Sequence, residues 1–144
     1  MRCAVLAAGL ASLSISVASD AAAQQAAPEG VAPPPAGKGQ VVFFRDKALK
    51  ASGFTYPIRQ DGKIIVTLGR GTYFVLPTEP GPHDYTVQSE VKDALHMEVE
   101  VGETYFVRQT MDIGMLITTA RLTPSDQATF SAVKPKALPA KVAD

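Results

Sequence analysis

Four residues in the middle of the chain have the types and spacing of acid–base or metal chemistry. His83 and Asp84 stand together just after Pro80-Gly81-Pro82, an imidazole beside a carboxylate, as a general base or a metal ligand requires. His96 and Glu98 are two residues apart within an alternating apolar–polar run. In a strand both would point the same way, with Glu100 continuing the row. A zinc site needs about four ligands, or three and a water. The set can therefore act together if His83 and His96 meet on adjacent strands within about 8 Å, and cannot if they lie on opposite faces. The competing account is structural: His83 opens a strand and bonds turn backbone, while His96 and Glu98 belong to a solvated strand face. The structural account is favoured. No positioned nucleophile accompanies His83, and these two are the chain's full complement of histidine. No catalytic, cofactor-binding or metal residues are assigned; His83, Asp84, His96 and Glu98 are kept as weak metal candidates.

Other residues with chemical potential read more simply as structure. Met97, Met111 and Met115 have thioethers that suit cuprous ion. Met97 and Met111, however, fall in register with apolar neighbours on their strands, where methionine commonly fills a core gap. The serines form no Gly-x-Ser-x-Gly elbow. Gly69-Arg70-Gly71 resembles a phosphate loop but leads into a strand rather than a helix N-terminus, so the anion-binding geometry is missing. Arg45, Arg59, Arg70 and Arg108 are scattered along the sequence and mark no basic patch. Tyr73-Phe74 and Tyr105-Phe106 are adjacent aromatic pairs. Alternation sends one of each pair inward and the other to the opposite face, to be covered by a helix or a partner.

The elements that must position these residues are short strands. Gln40 to Arg45 is apolar throughout its middle and suits a strand buried on both faces. Tyr56–Gln60 and Lys63–Leu68 flank Asp61-Gly62, a strong hairpin signal. Thr72–Leu76, His83–Glu90, Leu95–Val101, Thr104–Met111 and Met115–Leu122 follow, separated by glycine and proline punctuation. Turn signals every 8–12 residues or so, with no long helical period, indicate a sandwich or small barrel. One short helix is expected after Leu122, with Thr123 as N-cap, Pro124 at the first helical position and Asp126 bonding back.

The chain begins Met1-Arg2, runs through an apolar stretch from Cys3 to Ala18, and reaches small residues ahead of Gln24. These are the parts of a cleavable signal peptide. Cleavage is expected after Ala23, with Ala18 as the alternative. The stretch is Ala- and Ser-rich and short of the ~20 residues of a spanning helix, and no later segment is apolar enough to cross a membrane. Cys3 precedes the apolar core instead of following it, so it cannot serve as a lipobox cysteine. It would leave with the signal, and no disulfide could form. Residues 24–38, rich in Pro and Ala, read as a flexible spacer, 39–133 as one domain, and 134–144 as a tail of the same character as the spacer. Charge is balanced, with 14 basic and 14 acidic residues. Removal of Arg2 and Asp20 leaves it so, which argues against nucleic acid and against electrostatic docking to anionic lipid.

An ordered set of landmarks runs through the domain. It comprises Lys38-Gly39-Gln40-Val41-Val42-Phe43-Phe44-Arg45, Asp61-Gly62-Lys63, Leu68-x-x-Gly71-Thr72-Tyr73-Phe74, Pro80-Gly81-x-His83, Val101-Gly102-x-Thr104-Tyr105-Phe106-Val107-Arg108 and Gly114. In order and spacing these resemble the bacterial Domain of Unknown Function 2846 family, small exported proteins that are often lipoproteins, over about Gly37 to Val133. A looser likeness joins the same landmarks to PEGA-type envelope repeats, which are β-sandwich modules. The first family transfers no catalytic or binding residues, and this sequence departs from its lipoprotein form.

The expectation is an exported, periplasmic or secreted antiparallel β-sandwich of immunoglobulin-like or PEGA-like type, with about 7–8 strands and one C-terminal helix. It would be a non-enzymatic module without a cofactor, binding an envelope protein or a cell-wall component through strand edges or loops. The alternatives are a metal-binding or hydrolytic accessory domain built on His83, Asp84, His96 and Glu98, and a structural domain of a larger envelope complex.

Overall fold

All six residues of the strand Gly39–Phe44 (β1) are buried, as the consecutive apolar run Val41–Phe44 requires. Its position explains this. In the computed structural model, which describes residues 30–47, 54–87, 94–115 and 118–138, β1 is the centre of a five-stranded sheet with material packed on both faces.

Eight further strands follow: Pro57–Gln60 (β2), Lys63–Thr67 (β3), Thr72–Thr78 (β4), Gly81–Val87 (β5), Ala94–Val99 (β6), Thr104–Ile113 (β7), Thr118–Ser125 (β8) and Lys136–Ala137 (β9). One helix, Gln127–Val133 (α1), precedes β9. The five-stranded sheet runs β8-β7-β1-β4-β9 and the four-stranded sheet β3-β2-β5-β6. The β2–β3 hairpin turns on Asp61 and Gly62, both at positive φ (51° and 78°), the conformation that makes Asp-Gly favourable there.

Between the sheets Val41 and Phe43 of β1, Ile58, Leu68, Tyr85, Val99 and Val107 form the main core. The alternate residues of β1, Val42 and Phe44, face the other way and meet Phe106, Val31 and Phe130 of α1. The domain is thus a β-sandwich with a third layer on one sheet. Each aromatic pair splits as alternation requires. Phe74 and Tyr105 turn to the main core, while Tyr73 and Phe106 pack edge-on or tilted against Phe130, with ring centroids 5.1 and 5.3 Å away.

Several expectations are corrected. The sandwich is mixed, not wholly antiparallel: β1 pairs with β7, and β4 with β9, in parallel. The strand count reaches nine because Lys136–Ala137 adds to the edge at β4. The helix begins three residues later than the Thr-Pro signal indicates. Thr123 and Pro124 stay in β8 and pair with Arg108 and Val107. β8 is an edge strand, which tolerates proline. Asp126 is the N-cap instead, its carboxylate accepting the Thr129 N–H at 2.7 Å.

The part of the spacer that is described, 30–38, is fastened to the domain. Val31 is buried, Gln40 Nε2 donates to Ala32 O at 2.7 Å, and Tyr73 donates to Gly30 O at 2.8 Å. Proline- and alanine-rich composition hid a single buried valine and its two polar ties. The signal segment, residues 24–29 and the last residues of the tail lie outside the described residues. No helix among the described residues is long and apolar enough to cross a membrane.

Candidate functional site

β5 and β6 carry all four acid–base candidates. In their antiparallel register His83 is opposite Met97, Asp84 opposite His96, and Pro82 opposite Glu98. Opposed residues point to the same face, and successive residues to opposite ones. Asp84, His96 and Glu98 therefore share the outer face of the four-stranded sheet, while His83 lies on the inner face with Tyr85 and Met97.

The two histidines lie on adjacent strands but on opposite faces, so the four residues do not form one constellation. His83 is engaged at both nitrogens. Nε2–H donates to Glu79 O at 2.7 Å, Nδ1 accepts from the Gln60 amide at 2.9 Å, and the ring stacks against Tyr85. One of its partners is turn backbone, as the structural account of this residue anticipates. His96 Nδ1 is hydrogen-bonded to Asp84 Oδ1, and both side chains are largely exposed. Among the described residues no group of three or more His, Cys, Asp or Glu side chains is placed to hold a metal ion. Met97 packs on the main core from β6, Met111 lies opposite Ala120 in the other sheet, and Met115 is fully exposed. The three thioethers therefore sit in three different settings.

The fold does assemble what the sequence scatters. Parallel pairing sets Phe44, the last residue of β1, beside Arg108 of β7. Asp46, two residues on, accepts hydrogen bonds from two nitrogens of Arg108, Nε at 3.2 Å and the terminal Nη2. This carboxylate raises the Arg108 pKa above its already high ordinary value. Asp46 O also accepts Gly71 N–H at 3.2 Å, and Arg70 donates to Lys47 O at 2.9 Å, so the 69–72 turn closes over the end of β1. Gly71 allows that approach. Its φ is +63°, and a Cβ would lie 2.6 Å from Lys47 Cγ.

Arg45 is buried, its Nη1 donating to Phe54 O at 3.0 Å and Leu68 O at 3.3 Å. Burial lowers its pKa, and the nearby Arg70 guanidinium pushes the same way against the pull of Asp46. Lys136 joins the group by pairing with Thr72, and Arg121 lies opposite Thr110, farther along β7. Three of the four arginines read as scattered, Arg45, Arg70 and Arg108, thus meet at one end. The distances that separate them in sequence concealed it, as did the parallel β1–β7 pairing.

The opposite end of the sandwich has the opposite sign. Glu79, Glu98, Glu100 and Glu103 cluster around the start of β1. Lys38 bridges to Glu79 at 2.6 Å, Glu103 O accepts Gln40 N–H at 3.0 Å, and Glu98 lies opposite Pro82. Among the described residues, a chain with no net charge overall thus presents a mainly basic end and a mainly acidic one.

Fold and side chains together define a two-sheet β module whose polar groups collect at its ends. The family model described as "Protein of unknown function (DUF2846)" matches residues 35–120, and the chain belongs to that family. No curated protein and no solved structure matches it.

Proposed function

We propose that the protein is an exported, non-enzymatic module of the cell envelope that binds its partner through the basic end of the sandwich. Export rests on the N-terminal sequence, with its single early charge, short apolar core and small residues before Gln24. The observation that carries the binding site is the segregation of charge. Among the described residues Lys47, Arg70, Arg108 and Lys136 gather around the end of β1, while Glu79, Glu98, Glu100 and Glu103 lie at the other end. Such a field steers a negatively charged partner to one end and turns the other away.

The test is crosslinking in the native envelope with a photoreactive residue at Thr55, beside the basic end, or at Glu100, at the acidic end. Adducts that form from Thr55 and not from Glu100 support the reading. Equal labelling from both positions, or none, overturns it. Stoichiometric metal in the purified protein would favour the accessory-domain alternative instead.

A further inference from the structure

Charge is not all that distinguishes the basic end. Among the described residues the large apolar side chains left exposed are Phe54, Ile64, Val101 and Met115, and two of these belong to this end. β7 pairs with β1 up to Arg108 but continues to Ile113, so the β7–β8 hairpin runs roughly 17 Å beyond β1 at strand rise. Met115 stands at its tip with its side chain fully in water. Phe54, half exposed, is tied to the same end: its carbonyl accepts from Arg45, and Tyr56, two residues on, reaches Thr118 O at the hairpin's return at 3.2 Å. Among the described residues Lys47, Arg70, Arg121 and Lys136 share this end and outnumber its carboxylates, Asp46, which Arg108 holds, and Asp112 of β7.

We propose that this end docks on a bilayer surface rich in anionic lipid. Phe54 and Met115 enter the headgroup layer, and the cations of the same end meet the lipid phosphates. The proposal rests on the reading that the basic end is the binding end and adds the nature of the partner. A soluble polyanion would use the cations alone. Apolar side chains projecting ahead of a cationic collar match a surface that is negative outside and hydrocarbon within. The acidic end, with Glu79, Glu100 and Glu103, is repelled by the same surface, which stands the sandwich upright on its β7–β8 hairpin. Balanced total charge gives no warning of this, because attraction to a membrane falls off within a Debye length and reads the near end of the molecule.

The experiment is co-sedimentation of the purified protein with vesicles of phosphatidylcholine alone or mixed with phosphatidylglycerol. Binding to the mixed vesicles is expected and should weaken with salt, with each cation removed lowering partition about fivefold. The double variant Lys47→Gln, Arg70→Gln should lose binding accordingly, while Glu100→Gln, at the far end, should bind at least as well as wild type. Met115→Ser should weaken vesicle binding several-fold yet leave retention on soluble polyglutamate unchanged. An unchanged urea midpoint for Met115→Ser, whose side chain packs on nothing, keeps folding out of the comparison. Equal binding to both vesicle types, or none, overturns the proposal. So does a Met115→Ser protein that binds vesicles like wild type, which would assign the end to an acidic polymer or protein. If Thr55 still crosslinks specifically in the envelope while vesicles are ignored, the bilayer falls and the end-directed binding reading stands.

Discussion

Arg108 on β7 holds Asp46, just past the end of β1, through two of its nitrogens, although the two residues are 62 positions apart in the chain. The contact closes the parallel seam between the first and seventh strands. It also places Asp46 within electrostatic reach of both Arg45 and Arg108, while Arg45 and Arg70 repel each other. Asp46→Ala leaves those guanidiniums facing one another without it. The pair is partly exposed, so the expected loss is about 1–2 kcal/mol rather than the larger cost of a buried pair. Urea denaturation measures it, and the loss should grow at low salt, where repulsion among the arginines is least screened.

Phe130 is the residue through which α1 is held. Its ring lies 5.4 Å from that of Phe44, edge-on, and within similar reach of Tyr73 and Phe106. Phe130→Ala should cost about 3–5 kcal/mol, as expected for an aromatic removed from a packed site. Hydrogen exchange should then show α1 and β9 opening before the β1–β4 ladder, because the helix spans only seven residues and cannot persist without that contact.

How far the fold was legible depended on whether its signal was local. β1 announced its double burial by carrying apolar residues at consecutive positions, and Asp61-Gly62 fixed the β2–β3 turn by its own stereochemistry. Leu95, Met97 and Val99 face inward as their alternation requires. What depended on partners far away was hidden. Nothing in Gln40–Phe44 or Thr104–Arg108 distinguishes a parallel neighbour from an antiparallel one, so the meeting of Asp46 with Arg108 could not be foreseen. The helix start was misplaced because Thr123-Pro124 has the chemistry of a helix entry, and only pairing with β7 keeps it extended. For the candidate site, period two correctly put His96 and Glu98 on one face. The separation of His83 from them needed the β5–β6 register.

Gly39 should tolerate no side chain. A Cβ there would lie 2.5 Å from both Glu100 O and Val99 Cγ1, and 3.3 Å from Glu103 O. The β6–β7 turn comes this close because Gly102 donates to Lys38 O and Gln40 donates to Glu103 O, each at 3.0 Å. Two of those neighbours are backbone and cannot rotate away, so Gly39→Ala should cost about 1–3 kcal/mol. The expected signature is a lower urea midpoint with the loss of protection concentrated at the Gln40 and Gly102 amides.

The two histidines should behave independently toward metal. They lie on opposite faces, and His83 already uses both ring nitrogens. Titration with zinc or copper, followed by NMR of the imidazoles, should perturb the exposed His96 at millimolar concentrations and leave His83 unchanged. Asp84→Ala should weaken the His96 response without affecting His83. Simultaneous, stoichiometric shifts of both rings at micromolar metal would show that the strands rearrange to bring them together.

Asp126 gives the fold a predictable sensitivity to acid. Its carboxylate accepts the Thr129 N–H at the start of α1, and that bond holds its pKa below the ordinary carboxylate range. A depressed folded-state pKa means that the ionised group favours the folded chain. Its contribution is complete above the ordinary aspartate pKa and is lost as the pH falls through the depressed folded value. Asp126→Ala should therefore lower the urea midpoint at neutral pH. The gap between variant and wild type should close on acidification, since a protonated carboxyl is a poorer acceptor for the cap. Asp126→Asn, which keeps an acceptor oxygen but cannot titrate, should retain much of the neutral-pH stability and remove this group's share of the pH dependence. If the gap between Asp126→Ala and wild type stays constant down to the acid limit, the cap is not what Asp126 contributes.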